Sequence, residues 1–551
     1  MSFRRVAFAL LPLAVIALAV EGGLRLAGYS GEPDRTVSWC REHALAEPPF
    51  FERQAVFDVP ALVPRIEGQP QPFAPEKPTG TRRLFAFGGS AVHGYGFTRA
   101  GAWPDQLEGL LAGAWTQDVQ VINAGVIAWS SQQVLALVKD VVANHDPDAI
   151  LLYSGNNELL EWFDARRYLP PDELRAWTRS LTAARRLRAW RSYRFLSGLL
   201  SDVEVGHWGQ TSFSDDEALP WPARGRLDET ARAFARAGYR YHLRRIVEVA
   251  SAAGVPVFAS TVAVNWDDPP GEFDFGSIEP PEARDALALA DAALGQGRAP
   301  DAHFAAAQRA WPEAITWHRK ARMLRRHGHT DAALEAYREA VARDENPHRA
   351  PPWVEDVLRS TPGITVVEGA EAIAALSVDG VVDWGQVYDH CHPTPEAHGA
   401  LAASFAEALL GLWPGEVVVP PDRTGHVLDG WLGHGVDVER GHYLRDPGGE
   451  RSAWWASAAT PVDPEAWLDR GVVAWHTFHA DCERGRTPCL EDAFEAFERA
   501  AAAPETACRA SAALGRAWFW LDRSAAGRWL DEAQRCAPDD PTTAWYRSRL
   551  D

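Results

Sequence analysis

Residues 87–96 read Phe-Gly-Gly-Ser-Ala-Val-His-Gly-Tyr-Gly, directly after the apolar run Leu84-Phe85-Ala86. Glycines crowd one small hydroxyl, Ser90. A strand ending in such a loop can present a nucleophile; a tight turn has the same look, because serine is a common turn residue. Three further stretches shift the balance. Val121-Ile122-Asn123-Ala124-Gly125 ends an apolar run on a glycine. Leu151-Leu152-Tyr153-Ser154-Gly155-Asn156-Asn157-Glu158 sets Gly-x-Asn after another. Asp389-His390-Cys391-His392-Pro393-Thr394 places a carboxylate and an imidazole three residues apart, just ahead of a helix.

These residue types make one chemistry. A serine hydroxyl is a weak nucleophile until an imidazole takes its proton. The imidazole needs a carboxylate that fixes its tautomer and stabilises its charged form. Asp389 and His392 are neighbours on a turn. A tetrahedral intermediate also needs preorganised donors for its oxyanion. The backbone amides of Ser90 and Gly125 and the side-chain amide of Asn157 supply three, and Gly125 has no Cβ to block close approach.

Positioning these groups requires strands that end together. Strands are expected at Arg82–Phe87, Val119–Asn123, Ala149–Tyr153, Val255–Thr261 and Ile364–Val367. Helices are expected at Trp103–Ala112, Ser130–Ala143, Leu227–Ala253 and Thr394–Leu412, the last with Thr394 as N-cap and Pro395 at its first position. Continuously apolar strands separated by helices predict an α/β fold with a parallel sheet covered on both faces. Ligands bind such sheets at the carboxyl ends of strands. The stretch between Tyr153 and Leu227 is polar and Trp-rich, with no element assigned.

Two segments depart from this alternation. Ala321, Gly328, Ala333, Tyr337, Ala340 and Pro347 follow the small-and-large spacing of a tetratricopeptide helix pair, with a weaker copy around 302–312. Gly471, Ala493, Phe497, Ala500 and Pro504 repeat it, as do Gly515, Ala526, Leu530, Ala533 and Pro538. Generic Ala-rich hairpins have the same composition. The resulting organisation is an N-terminal segment 1–26, a juxtamembrane segment 27–80, a catalytic domain in two parts (81–280 and 350–415), inserted helices 281–349, a linker 416–460 and C-terminal helical repeats 461–551.

The four blocks, in this order, resemble those of the SGNH/GDSL hydrolase superfamily over roughly 82–160 and 383–412. The resemblance implies a flavodoxin-like three-layer α/β/α sandwich. It implies Ser90 as nucleophile, Asp389 and His392 as acid and base, and Ser90, Gly125 and Asn157 as the oxyanion hole. It implies no cofactor and no metal. Two positions depart from the family pattern. Gly89 stands where an aspartate is usual, as in an exported, membrane-anchored branch that carries Gly-Gly-Ser. Glu158 stands where Asp usually follows the block-three asparagine. The expected activity is hydrolysis of an acyl or acetyl ester, on a small molecule, a lipid or a polysaccharide. Two alternatives stay open. One is an O-acyltransferase acting on envelope polysaccharide with the same residues. The other is a non-catalytic scaffold whose repeats bind a protein partner.

Other candidates are weaker. His390, His392 and His398 with Asp389 offer enough ligands for a metal, but Pro393 and the following helix send His398 away. His93 lies in the nucleophile loop, as pocket lining or as a solvated loop residue. Trp129 and Trp162 follow the second and third blocks, as pocket walls or core packing.

The chain has 551 residues and a formal net charge of −20, which argues against a broad nucleic-acid surface. Arg4-Arg5 precede an uncharged run from Val6 to Val20. That pattern fits a secretory signal or a signal-anchor, retained or cleaved, with the rest of the chain on the extracytoplasmic side. Six cysteines are present. Cys482 and Cys489 flank one hairpin turn, and Cys508 and Cys536 lie at the two ends of another hairpin. Both pairs come within disulfide reach, with buried thiols as the alternative.

Overall fold

The computed structural model describes residues 3–27, 49–56, 59–64, 72–95, 101–187, 190–199, 225–270, 280–345, 349–387 and 389–413. Beyond these it describes positions 464, 467–468, 470–471 and 474, then 490–519, 522–538, 541–547 and 550. The chain divides into two compact units, Met1–Leu45 with Glu158–His242, and Ala46–Asn157 with Leu243–Asp551.

The strands are β1 (Phe51–Val56), β2 (Val59–Pro64), β3 (Arg82–Gly88), β4 (Val119–Gly125), β5 (Ala149–Tyr153), β6 (Val257–Ser260) and β7 (Ile364–Val367). The helices begin with α1 (Phe3–Leu26), α2 (Ser90–His93), α3 (Trp103–Ala114), α4 (Ser131–Asn144), α5 (Leu160–Tyr168), α6 (Pro171–Leu187), α7 (Arg191–Leu199) and α8 (Glu229–Ala252). They continue with α9 (Pro281–Gly295), α10 (Asp301–Ala310), α11 (Ala314–Arg326), α12 (Thr330–Arg343), α13 (Trp353–Arg359), α14 (Gly369–Ala374) and α15 (Pro395–Leu412). The last are α16 (Leu490–Ala501), α17 (Ala507–Phe519), α18 (Arg523–Cys536) and α19 (Pro541–Arg547).

In the second unit, β3–β7 form one parallel sheet in the order β4-β3-β5-β6-β7. Numbered from β3, this is the 2-1-3-4-5 order of flavodoxin-like sheets. The expected α/β architecture is therefore present. Alternation along β3 builds both faces. Leu84 and Ala86 join a core with α3 and α15, where Trp103 stacks on Phe405 at 4.4 Å. Phe85 points the other way and meets the edge of Phe73 at 5.6 Å. Ser130 and Gln133 form a capping box that starts α4. Thr394 caps α15 and Pro395 opens it, as its sequence predicts.

The register levels the strand ends. Gly88 pairs with Gly125 on one side and with Tyr153 on the other. The turns that follow β3, β4 and β5 therefore leave the sheet at one height.

Helices fill both expected repeat segments of this unit. In α9–α12, Ala290, Phe304, Ala321, Ala333 and Tyr337 are buried together. In α16–α19, Phe494, Phe497, Leu514 and Leu530 form a core that also takes Ala61 and Val63 of β2. Cys508 and Cys536 are disulfide-bonded, with Cα atoms 5.7 Å apart. Cys482, Cys489 and the linker 416–460 lie outside the described residues.

Two expectations need correction. The antiparallel β1–β2 hairpin lies within the juxtamembrane segment 27–80, for which no strand was expected. Helices α5–α7 occupy part of the stretch left without elements; Leu174 and Trp177 are buried one turn apart on α6, so these two share a helix face. Among the described residues no helix is long and apolar enough to cross a membrane. Within the first unit, α1 carries the carboxylate Glu21, which accepts hydrogen bonds from Ser192 N (2.8 Å), Ser192 Oγ (2.9 Å) and Arg25 Nε (2.8 Å).

Candidate active site

Ser90 is the first residue of α2, and Gly89 is its N-cap with extended backbone. The first amides of a helix have no intrahelical acceptor, which leaves the Ser90 N–H for an external oxygen. The turn is packed too closely for side chains. A Cβ on Gly125 would lie 2.3 Å from His93 N and 2.7 Å from the Val92 carbonyl carbon. The end of β4 thus sits directly on the backbone that carries Ser90.

Asp389 and His392 occupy a loop closed by the Val387–Pro393 bridge and by Thr394 N, which donates to Gln386 O at 2.8 Å. Asp389 Oδ1 accepts from the backbone N–H groups of Cys391 and His392, each at 2.8 Å. This fixes the carboxylate and leaves Oδ2 facing His392 Nδ1 at 2.5 Å. The opposite ring nitrogen, Nε2, is 2.6 Å from Ser90 Oγ. The three side chains expected to work together are therefore in one hydrogen-bonded line.

The electrostatics follow from burial and pairing. Burial works against the charged carboxylate of Asp389, but the His392 hydrogen bond and charge outweigh it and hold the carboxyl at about 2. Burial likewise opposes a charged His392. The adjoining Cys391 sulfur and the Asp389 carboxylate prevail, and its pKa lies above the ordinary imidazole value. Cys391 itself is buried, which pushes its thiol up. The Tyr95 ring lies against His392 with centroids 5.0 Å apart.

Asn157 Nδ2 donates to Trp129 O at 3.0 Å. One of its two protons is thereby used, which leaves the second for another acceptor. A Cβ on Gly89 would lie 2.5 Å from this same nitrogen. A side chain at 89 would therefore have to displace the end of the Asn157 carboxamide. The Gly125 N–H behaves differently from the sequence expectation. It donates to Asn123 Oδ1 at 3.0 Å, so it is already engaged.

Asn123 is a residue that the sequence reading missed. Its buried side chain also donates to Val92 O at 3.0 Å, tying β4 to α2. Its signal was present: an amide two residues before the glycine that ends the strand. The weaker candidates resolve as packing. His398 Nδ1 accepts from Trp103 N at 3.3 Å in the core, and burial holds that imidazole down at about 3. Trp129 is buried edge-on to Phe50 at 5.9 Å. Trp162, in the other unit, packs edge-on to Phe163 at 5.6 Å. His93 is buried in α2 behind Ser90. Glu158 is buried and raises the pKa of Tyr239 within its own unit, after burial of that phenol. Asp389, Cys391 and His392 bring three ligand-type atoms within 4.8 Å. His392 Nδ1, which a metal would need, is on Asp389 Oδ2.

No protein-family model matches the chain, and no curated protein matches it. Solved structures of GDSL-type hydrolases and esterases do align with it. A GDSL-like lipase from Bacteroides thetaiotaomicron is 11% identical, over 60% of this chain and 89% of the lipase, with a TM-score of 0.25. A catalytic mutant of an acetylxylan esterase from Geobacillus stearothermophilus is 13% identical, over 59% of this chain and 93% of the esterase, with a TM-score of 0.27. An alpha/beta hydrolase enzyme from the metagenome of Lake Arreo, Spain, is 13% identical, over 59% of this chain and 94% of its own, with a TM-score of 0.26. Likenesses at this level assign neither activity nor substrate; the contacts around Ser90 must discriminate.

Proposed function

We propose that the chain is a serine ester hydrolase of the SGNH/GDSL kind. The observation that supports this most directly is His392, set between Ser90 Oγ at 2.6 Å and Asp389 Oδ2 at 2.5 Å. His392 Nε2 takes the hydroxyl proton as Ser90 Oγ attacks the ester carbonyl. Asp389 keeps the Nδ1–H in place and stabilises the imidazolium. The imidazolium then protonates the departing alkoxide, leaving an acyl-enzyme. Water, deprotonated by His392, releases the acid and restores the serine. The Ser90 amide and Asn157 Nδ2 are the better-supplied oxyanion donors. Gly125 contributes by sharing its N–H with Asn123 Oδ1. Each such donor is worth about 100- to 1000-fold in rate.

An extracytoplasmic setting fits the Cys508–Cys536 disulfide, since such bonds persist in oxidising compartments. The helical segments are the natural surface for a protein partner, and their tetratricopeptide character rests on spacing alone.

The test is the purified full chain on acetyl and longer p-nitrophenyl esters, beside Ser90→Ala and labelling with a fluorophosphonate. Turnover and labelling that both depend on Ser90 support the reading. Equal activity in Ser90→Ala refutes the nucleophile. An oligosaccharide acceptor added to the assay separates transfer from hydrolysis.

A further inference from the structure

The backbone carbonyl of Asp389 is held by a side chain outside its own loop. Asn265 Nδ2 donates to Asp389 O at 2.7 Å, and Asn265 N donates to His390 O at 3.4 Å. Asn265 follows β6 and lies 124 residues before Asp389. It is fully buried. Its own carbonyl accepts from Arg349 Nη1 at 2.7 Å. The same guanidinium donates to Asp268 O and Pro269 O, both at 2.9 Å. Arg349 is buried, with Asp268 and Asp344 as its charge partners at 3.3 and 3.6 Å. One planar fork therefore reads three carbonyls of the 265–269 loop, those of Asn265, Asp268 and Pro269, which a lysine point charge cannot do.

The helical insert grips that loop from the other side. His318 Nε2 is 3.1 Å from Asp267 O, Tyr337 OH donates to Asp267 Oδ1 at 3.1 Å, and Arg322 Nε is 3.1 Å from the same oxygen. Arg325 of α11 bridges Asp379 (2.6 Å) and Asp383 (2.7 Å), just upstream of Asp389. One residue after Arg349, Ala350 N donates to Asn156 Oδ1 at 3.1 Å, beside Asn157. The end of the insert, Arg349, thus reaches the acid loop through Asn265, and the residue that follows it contacts the asparagine loop directly.

We propose that Asn265 and Arg349 are positioning residues for the Asp389–His392 pair, so that the end of the helical insert sets the catalytic acid. Neither touches substrate. They act by fixing the backbone from which the Asp389 carboxylate projects. This rests on the triad assigned above, and a displacement of about 1 Å in such a pair lowers rate about 100-fold.

The test uses full-length Asn265→Ala and Arg349→Lys, each checked for folding by circular dichroism and thermal melting. Two readouts go beyond structure. The first is the low-field proton resonance of His392 Nδ1–H, which needs no substrate. The second is the acidic limb of the pH–kcat/KM profile, set by His392 among its titratable neighbours Asp389, Cys391, His390 and Tyr95. Folded Asn265→Ala should lose or broaden the resonance. Its kcat should fall 10- to 100-fold at little-changed KM, and the limb should move to lower pH. Arg349→Lys should do the same to a smaller degree. A folded Asn265→Ala with an unshifted resonance and wild-type kcat overturns the proposal. If wild type shows the resonance but no esterase activity, the hydrolase reading fails while the tether is still tested by the spectrum.

Discussion

The two halves of the candidate site are held in different ways. Ser90 and Gly125 are fixed by sheet register and by backbone packed against backbone, with Gly88 opposite Gly125 and Gly125 against His93 N. Asp389 and His392 sit on an irregular loop beyond the last strand. Besides the backbone bonds that close this loop, they are fixed by side-chain hydrogen bonds from Asn265 and, behind it, Arg349. A backbone-held half tolerates no added volume. A side-chain-held half tolerates volume but not a lost donor.

The strongest disruption of the side-chain-held half is Asp389→Asn. The imidazole loses the acceptor that fixes its tautomer, and kcat should fall about 10,000-fold with geometry intact. The same variant carries a stability signature. The Asp389 carboxyl is held near 2, below its ordinary 3.8, so its contribution is complete above about pH 3.8 and fades as pH falls toward 2. Acid melting of Asp389→Asn should lack that component. On the backbone-held side, Gly125→Ala forces α2 away from β4. A loss of about 100-fold in kcat/KM, with about 1–3 kcal/mol of destabilisation, is expected from kinetics and thermal melts. An alanine at 125 with wild-type rate would erase the contrast between the halves.

What was legible in the sequence follows the same division. β5 and β7 have the bounds that their apolar runs predict, and the glycine ending β4 and the Asp-x-x-His turn were visible because each is local. Thr394-Pro395 announced α15 for the same reason. Asn265 and Arg349 could not be read, since the carbonyls they hold, Asp389 O and Asn265 O, lie 124 and 84 residues away in the sequence. The β1–β2 hairpin was hidden likewise: Ala61 and Val63 face a core built from residues beyond 460, so nothing nearby shows why they are apolar.

A smaller effect sharpens the comparison through pH. His392 must be neutral to accept the Ser90 proton, and its pKa lies above the ordinary 6.5. Below that raised pKa the ring is charged and inactive, so kcat/KM should rise with pH to a plateau, with a midpoint above 6.5. A midpoint at or below 6.5 would show that burial outweighs the pairing of His392 with Cys391 and Asp389. The smallest effect on catalysis should come from the far helices. Replacing Cys508 and Cys536 by alanine opens a loop with a sequence separation of 28 and should lower stability by about 3–4 kcal/mol. Turnover at 25 °C should be unchanged while the chain stays folded.

Gly89 and Asn157 share one small volume: a Cβ at 89 would lie 2.5 Å from Asn157 Nδ2 and 3.2 Å from Trp129 O. A side chain at 89 therefore has to move the end of the Asn157 carboxamide before it fits. The two positions are coupled through that contact, so a change at 89 is best made together with a compensating change in the loop that carries Asn157.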